Sequence, residues 1–149
     1  YKNKTMNDIK IAFIGGGNMS SCIYDSIIKN YDAKNVTVSG PHLEKLEKFK
    51  AHGSLITTDN VKTVEDAQVI FLGVKPQILT SVLEEIKNSK ISLDGKLFIS
   101  MAAGYKLSSI YAKLETHNLI RIMPNTPAKL GLGVIAVGYD SPKCLSPTL

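Results

Sequence analysis

A short apolar run that ends in three consecutive glycines most strongly limits how this chain can fold. The run and its glycines occupy residues 9–17 (IKIAFIGGG). Continuous apolar runs closed by glycine are typical of strands that are buried on both faces of a parallel sheet. Met19, Ile23 and Ile27 then recur every four residues, which indicates the apolar face of a helix. The sequence therefore predicts a strand, a tight glycine turn and a helix in direct succession.

The same alternation of strand-like and helix-like patterns continues along the chain. Further strands are predicted within residues 35–40, 54–60, 68–74, 96–104, 118–124 and 133–139. Apolar helix stripes are predicted at Leu43, Leu46 and Phe49, at Ile78, Leu79, Val82, Leu83 and Ile86, and at Leu107, Ile110, Tyr111 and Leu114. Such alternation predicts βαβ units with right-handed crossovers. The expected fold class is α/β, with a doubly wound and mainly parallel sheet.

Composition narrows the class of protein. A chain of 149 residues with 44% apolar and 21% charged residues is long enough for one globular core. The net charge is +5, but the basic residues are scattered, so we expect no nucleic-acid partner. Cys22 and Cys144 are far apart and make neither a disulfide framework nor a metal pattern. No signal peptide or transmembrane run is recognisable, so the sequence predicts a cytoplasmic protein without a membrane partner.

The glycine turn has the form of a phosphate-binding loop. Gly15 and Gly17 take the first two positions of the pattern G-x-G-x-x-G/A, and Ser20 takes the third, where glycine or alanine is usual. A loop of this kind between a strand and a helix lets a pyrophosphate approach the backbone and the helix N-terminus. The pattern predicts a Rossmann-type dinucleotide site, and an ordinary tight turn is the alternative.

The end of the second predicted strand bears on the choice of cofactor. An NAD site usually carries an acidic residue there, whereas this chain has Ser39 and Gly40. Ser39, His42 and Lys45 are candidates to contact a 2′-phosphate. This favours NADP, with NADPH as the reduced form, and leaves NAD as the alternative. A solvated surface histidine is an equally good interpretation of His42.

Three more loops are predicted at the same edge of the sheet. Lys75, in GVKPQ (residues 73–77), precedes a proline and should have an extended backbone. The loop SMAAG (residues 100–104) has small side chains that leave room for a flat ring. The third loop, residues 123–133, holds Asn125 between two prolines.

Together these stretches carry a family resemblance. FIGGGNM, GVKPQ, SMAAG and RIMPNTPAKLGLG resemble, in order and spacing, the N-terminal half of pyrroline-5-carboxylate reductase. That enzyme makes proline by passing hydride from NADPH or NADH to a cyclic imine. The resemblance extends over residues 9–139 and is most specific in MPNTPA, with GVKP next.

The resemblance implies a role for each matched position. The pyrophosphate would be bound by Ile14, Gly15, Gly16, Gly17, Asn18 and Met19. The adenosine portion would lie near Ser39, Gly40 and Asn60. The nicotinamide end would be lined by Val74, Lys75, Pro76, Met101, Ala102 and Ala103, with Asn125 and Pro127 bordering the substrate pocket. No residue is assigned as catalytic, although Lys75 and Asn125 are candidates for positioning the substrate, and no metal site is expected.

The domain organisation implied by the resemblance is incomplete. Residues 9–139 are expected to form the dinucleotide-binding domain, and residues 1–8 a disordered or non-native N-terminus. Residues 140–149 stand where a helical dimerisation domain would be expected. The full-length enzyme should then be a homo-oligomer, and this stretch alone monomeric and inactive or weakly active. The alternatives are a free-standing nucleotide-binding regulatory module without catalysis and a different Rossmann reductase, acting on a hydroxy acid or a flavin-like cofactor.

Overall fold

Short apolar segments form the strands, and longer amphipathic segments form the helices. The structure, a computed structural model, describes residues 9–102, 104–116, 118–122 and 136–137. The strands are β1 (Ile11–Ile14), β2 (Val36–Ser39), β3 (Leu55–Thr57), β4 (Val69–Leu72), β5 (Leu97–Ser100), β6 (Leu119–Ile122) and β7 (Ala136–Val137). The helices are α1 (Asn18–Ile27), α2 (Glu47–Ala51), α3 (Asn60–Asp66), α4 (Pro76–Ser89) and α5 (Leu107–Leu114). Two short 3₁₀ helices, Ala33–Asn35 and Leu43–Leu46, precede β2 and α2.

The strands within the described residues form one sheet in the order β3-β2-β1-β4-β5-β6-β7. Strands β1 to β6 run parallel, and β7 pairs antiparallel with β6. The predicted α/β class with a mainly parallel sheet is therefore confirmed. The strand order reverses at β1, which pairs with β2 on one side and β4 on the other. In sheets of this kind, ligands bind beyond the carboxyl ends of the strands at that switch point.

A hydrophobic core lies on each face of the sheet. One core packs α3, α4 and α5 against the sheet, and its most deeply buried large members are Ile14, Ile70, Leu72, Leu79, Leu83, Ile86, Phe98 and Ile110. The other packs α1 and α2 against the opposite face through Phe13, Tyr24, Val36, Val38, Leu46 and Phe49. Burying a side chain of this size stabilises the fold by roughly 1.5–3 kcal/mol. Helices on both faces leave the carboxyl edge of the sheet as the open surface between them.

A buried lysine links the end of α3 to the start of β5 at the opposite edge of the sheet, where the strands begin. Lys96 stands just before β5, and its Nζ donates to the backbone oxygens of Glu65 (2.9 Å) and Ala67 (2.7 Å) at the end of α3. Burial lowers the pKa of Lys96, although the nearby carboxylates of Asp66 and Glu65 oppose that shift. A cation at the C-terminal end of a helix also complements the helix dipole. Throughout the described ranges, every helix is too short or too polar to span a bilayer.

One helix of the sheet's carboxyl edge was not predicted. Residues 54–60 were expected to be a strand and its exit loop, but Asn60 is the first residue of α3. The Asp59 side chain caps this helix by accepting a hydrogen bond from the backbone N–H of Lys62 at 3.0 Å. Because α3 has only seven residues, its apolar periodicity is too short to stand out in the sequence.

Several residues of the predicted apolar stripes are exposed. Met19 is 41% exposed and Ile78 48% exposed, because each lies in the first turn of its helix, beyond the ends of the strands. Leu43 is also exposed and belongs to the 3₁₀ helix before α2. Tyr111 is 36% exposed, and Cys22 is half-buried. The second cysteine, Cys144, lies outside the described residues.

Candidate functional site

Gly15 makes the sharp turn that ends β1. Its φ is +102°, a backbone conformation that side chains with a Cβ rarely adopt. A Cβ at this position would lie 2.8 Å from Val74 Cγ1 and 2.9 Å from the Gly73 carbonyl oxygen. The Gly15 N–H donates to the carbonyl oxygen of Ser39 at 2.7 Å. The turn is therefore fixed by β2 on one side and by the loop after β4 on the other.

The loop after β4 in turn lies against the first helix and the loop after β5. A Cβ at Gly73 would collide with the Ser20 hydroxyl and would lie 2.7 Å from Met101 Cε. Ser20 is fully buried, so its small side chain lets α1 come close to the strands, as the third position of the glycine pattern requires. The structure thus brings together three of the four predicted loops. The fourth, residues 123–133, lies outside the described residues.

The remaining two glycines of the loop differ from each other. A Cβ at Gly16 would lie 2.6 Å from Leu46 Cδ2 and 3.1 Å from Phe49 Cε2, so Gly16 is required by packing. Among the residues that the structure describes, no atom would lie within 4 Å of a Cβ at Gly17, and the φ of Gly17 is an ordinary −79°. Neither the fold nor the backbone conformation needs glycine at position 17. The open space beside Gly17 is therefore available to a ligand.

The N-terminus of α1 presents unused donors beside this space. The first intrahelical bond runs from Ser21 N to Gly17 O (2.9 Å), so the N–H groups of Asn18, Met19 and Ser20 have no acceptor within the helix. No side chain caps the helix, and no acidic residue lies in its first turn. Such an end combines free donors with the positive end of the helix dipole, and it suits an anion such as a phosphate.

Two more helices begin at this edge without a side-chain cap. Lys75 is the N-cap of α4 and Lys106 the N-cap of α5, both with extended backbones, and neither helix has an acidic residue in its first turn. The extended backbone predicted for Lys75 is thus confirmed. By contrast, α3 at the same edge is capped by Asp59. Exposed lysines and uncapped helix ends together make the part of the edge formed by α1, α4 and α5 electropositive.

The end of β2 is held by side-chain hydrogen bonds in addition to backbone ones. Ser39 is fully buried, and its hydroxyl donates to Oδ1 of Asn60 at the start of α3. Asn60 Nδ2 donates to Glu85 Oε1 of α4 at 3.1 Å. The Gly40 N–H donates to the carbonyl oxygen of Thr57 at 3.0 Å. The Ser39 hydroxyl is therefore turned inward and engaged with Asn60, instead of facing solvent as a contact to a 2′-phosphate would require.

The loop that follows β2 carries the exposed groups of this corner. His42 is exposed, and its Nδ1 lies 3.8 Å from Glu44 Oε2. Lys45 is exposed as well. The sequence has no acidic residue at the end of β2, but the structure places the Glu44 carboxylate next to His42. Lys45 is the exposed lysine of the segment between β2 and α2, and His42 is its exposed imidazole.

The other predicted site residues fall into three groups. Those whose side chains are buried are Ile14, Met101 and Ala102. Those that face the open edge are Asn18, Met19 and Pro76, while Val74 is half-buried. Those outside the described residues are Ala103, Asn125 and Pro127. In the ranges that the structure describes, no cluster of three or more His, Cys, Asp or Glu side chains could hold a metal ion.

Sequence reasoning did not single out Gly73, Lys106 and Glu85. The importance of Gly73 could have been inferred from the sequence, since a glycine that closes an apolar run often marks close backbone packing. That of Lys106 could have been inferred as well, because it precedes an apolar helix stripe with no capping residue. That of Glu85 could not, since it reaches the site only through a contact with Asn60, 25 residues away in sequence.

Comparison with known proteins agrees with this geometry. The model of the family described as NADP oxidoreductase, coenzyme F420-dependent, matches residues 10–104. The chain belongs to this family. The matched residues run from β1 through the loop after β5, and so include the glycine turn, the end of β2 and the two loops that meet at Gly73.

Individual relatives confirm the resemblance to pyrroline-5-carboxylate reductase. The chain is 40% identical over 132 residues to that enzyme from Vibrio alginolyticus, covering 87% of this chain and 48% of the relative. The solved structure of the enzyme from Coxiella burnetii is similar at a TM-score of 0.73 and 38% identity, covering 80% of this chain and 45% of that one. The Plasmodium falciparum enzyme, solved with NADP bound, has a TM-score of 0.73 and 26% identity, covering 94% of this chain and 52% of that one. The chain spans about half the length of the curated relatives it matches.

Proposed function

We propose that this chain is the cofactor-binding part of an NADP-dependent pyrroline-5-carboxylate reductase, which reduces a cyclic imine to L-proline. The observation that carries the proposal is the open position at Gly17, beside the uncapped N-terminus of α1. A glycine that the fold does not require, next to free backbone donors, suits a site where a phosphate approaches the backbone. The relatives named pyrroline-5-carboxylate reductase support the choice of reaction.

The residues present fit a dinucleotide laid across the switch point. Its pyrophosphate would contact the loop from Ile14 to Met19, through backbone N–H groups rather than side chains. The adenosine end would lie on the β2 side, near Gly40, His42 and Asn60. The nicotinamide end would lie on the β4 and β5 side, where α4 and α5 also begin without caps.

The protein's contribution to the reaction would be position and electrostatics. When bound, the nicotinamide of NADPH would supply the hydride that goes to the imine carbon, and the imine nitrogen would take up one proton from water to become the secondary amine. Lys75 is exposed, and its ammonium group would lie at the nicotinamide end, where it would steady the substrate carboxylate or the cofactor ribose. Asn125 is proposed to border the same pocket by the resemblance alone, as are Ala103 and Pro127.

Preference for NADP over NAD is part of the proposal. No acidic side chain ends β2, and the following loop exposes the Lys45 ammonium group and the His42 imidazole. Glu44 works against this preference, since its carboxylate lies 3.8 Å from His42. The relative from Plasmodium falciparum was solved with NADP, which agrees with the proposed cofactor.

The partners and location of the whole enzyme are also proposals. We infer a small-molecule imine substrate, a homo-oligomeric full-length enzyme in the cytoplasm, and no nucleic-acid or membrane partner. Because the chain spans about half of its relatives, turnover would depend on residues beyond those described, and the chain alone would bind cofactor with little activity. The domain bounds of 9–139, with flanking segments 1–8 and 140–149, belong to the same proposal.

The test is a calorimetric titration of the chain with NADPH and with NADH, alongside a Gly17→Val variant. We expect NADPH to bind more tightly than NADH, and the variant to lose at least about tenfold in affinity, equal to roughly 1.4 kcal/mol. Binding of neither nucleotide would contradict the proposed cofactor site. Equal binding by the variant would show that the glycine loop is an ordinary turn.

A second assay concerns the reaction itself. The full-length enzyme should oxidise NADPH when pyrroline-5-carboxylate is added, and a Lys75→Ala variant should have a raised KM. A full-length enzyme that binds NADPH but reduces no imine would instead favour the regulatory module. Reduction of coenzyme F420 in place of the imine would favour the other activity named in the family's description.

A further inference from the structure

Three side chains from separate elements form a hydrogen-bonded row at the adenosine end of the proposed site. The Ser39 hydroxyl donates to Asn60 Oδ1, and Asn60 Nδ2 donates to Glu85 Oε1 at 3.1 Å. The row passes from a fully buried hydroxyl, through a half-buried amide, to an exposed carboxylate. It joins the end of β2 to the first residue of α3 and the middle of α4.

Glu85 is the member of the row that sets the orientation of the Asn60 amide. A hydroxyl such as that of Ser39 can donate to the amide oxygen or accept from the amide nitrogen, so it tolerates both orientations. An ionised carboxylate only accepts, so it pairs with the amide NH₂ and repels the amide oxygen. The Glu85 carboxylate therefore keeps Nδ2 on its own side and Oδ1 on the side of Ser39.

The fixed orientation determines what Asn60 offers to a ligand. With one N–H given to Glu85 and one lone pair engaged by Ser39, the amide keeps one N–H and one oxygen lone pair in defined directions. If the amide turned over, donor and acceptor would exchange places. A ligand that bonds to Asn60 would then meet the wrong group.

We propose that Glu85 is a positioning residue for the adenosine portion of the cofactor, acting through the Asn60 amide. This inference rests on the proposed function, because it takes Asn60 to be a contact of the adenosine ribose. Glu85 itself need not touch the cofactor. It preorganises a group that does, and so reduces the cost of ordering that group on binding.

The proposal predicts the opposite sign from simple electrostatics. Removing a carboxylate near an anionic nucleotide should strengthen binding if charge alone matters. If Glu85 acts by orienting Asn60, then Glu85→Ala should weaken NADPH binding roughly fivefold, the equivalent of one ordinary hydrogen bond. Glu85→Gln should give an intermediate affinity, because a Gln side chain can accept from Asn60 Nδ2 but can also turn its own NH₂ toward Asn60, and so does not fix the amide orientation.

Glu84 provides a matched control. It is the adjacent residue of α4, and its carboxylate pairs with Lys113 Nζ at 3.2 Å instead of with Asn60. Glu84→Ala removes the same charge from the same helix and should leave NADPH binding within about twofold of the original chain, because exposed ion pairs contribute little. Thermal unfolding of all three variants checks that they fold alike.

Titrations with fragments of the cofactor show which part of it depends on Glu85. We would titrate each protein with NADPH, with adenosine 2′,5′-bisphosphate and with nicotinamide mononucleotide. Glu85→Ala should weaken the two adenosine-containing ligands by the same factor and leave the nicotinamide mononucleotide unchanged. A merely structural role for Glu85 would weaken all three together.

The outcomes separate the two proposals. If the original chain binds no NADPH, the proposed function fails and this inference fails with it. If the original chain binds NADPH and Glu85→Ala binds it equally well or more tightly, only the positioning role is overturned. If Glu85→Ala weakens binding of nicotinamide mononucleotide as much as binding of the adenosine-containing ligands, the positioning role is overturned as well, because the effect is then not confined to the adenosine end.

Discussion

The ends of β1 and β2 lie side by side at the carboxyl edge, yet they are built in different ways. The end of β1 has almost no side chains, and its shape depends on what a Cβ would strike at Gly15, Gly16 and Gly73. The end of β2 depends on side chains, with the Ser39 hydroxyl and the Asn60 amide linked to Glu85. The two ends are joined by a backbone hydrogen bond from Gly15 N to Ser39 O at 2.7 Å.

This difference shows how each end can tolerate change. An added methyl group at Gly15 meets the Gly73 backbone, and one at Gly16 or Gly73 meets the ends of packed side chains, so neighbouring groups must shift in each case. A row of hydrogen-bonded side chains loses one bond at a time, and each bond contributes only about 1 kcal/mol to stability. The free energy of unfolding should therefore respond strongly to substitutions at the end of β1 and weakly to those at the end of β2.

Gly15→Ala should have the largest effect on stability. The substitution combines a strained φ with a Cβ placed 2.9 Å from the Gly73 carbonyl oxygen, and we expect it to lower the free energy of unfolding by about 3 kcal/mol. Urea unfolding measures this loss. Gly53→Ala is the control, because Gly53 has nearly the same φ (+104°) but no atom within 4 Å of an added Cβ. Equal losses in the two variants would mean that close packing contributes nothing at Gly15.

Gly73→Ala should come next, with a loss of about 2 kcal/mol from overpacking against Ser20 and Met101. A second substitution, Ser20→Ala, removes the hydroxyl that the new methyl group strikes and should restore part of that loss. Ser20→Ala alone should change stability by less than about 0.5 kcal/mol, because its buried hydroxyl has no hydrogen-bond partner among the described residues. Additive effects in the double variant would contradict a direct collision between the two side chains.

Ser39→Ala should lower the free energy of unfolding by about 1 kcal/mol, through loss of the bond to Asn60. Chemical unfolding of Ser39→Ala, of Asn60→Ala and of the double variant forms a complete cycle. The two single losses should not add, because both remove the same hydrogen bond. If Ser39→Ala lowered the free energy of unfolding as much as Gly15→Ala, the two strand ends would not differ in their tolerance of substitution.

Gly17→Val should lower stability by only about 0.5 kcal/mol, from the poorer N-cap, since no atom of the described residues lies within 4 Å of an added Cβ. Its effect on NADPH affinity should nevertheless be large. Differential scanning calorimetry of the variant without nucleotide measures the first quantity. A strongly destabilised variant would show that position 17 is held by packing, and it would remove the argument that this glycine serves a ligand.

The contrast between the two ends also explains how far the sequence could be interpreted. The strand, glycine turn and helix at residues 9–27 follow one another in the chain, so local patterns predicted both their structure and the loop. Ser39, Asn60 and Glu85 are separated by 21 and 25 residues, and no local pattern links them. The exposure of Met19 and Ile78 was missed for a related reason, since periodicity does not tell where the sheet beneath a helix ends.

The contact between Gly16 and Leu46 has a consequence for changing the nucleotide preference by design. The segment that would discriminate the 2′-phosphate, residues 41–45, is followed directly by Leu46, the leucine that packs against Gly16. Grafting that segment from an NAD-preferring protein would leave the loop undisturbed only if Leu46 and Phe49 were retained. Substitutions up to position 45 should therefore change the nucleotide preference without disturbing the glycine loop. Substitutions at Leu46 or Phe49 should affect both, because these side chains pack against Gly16.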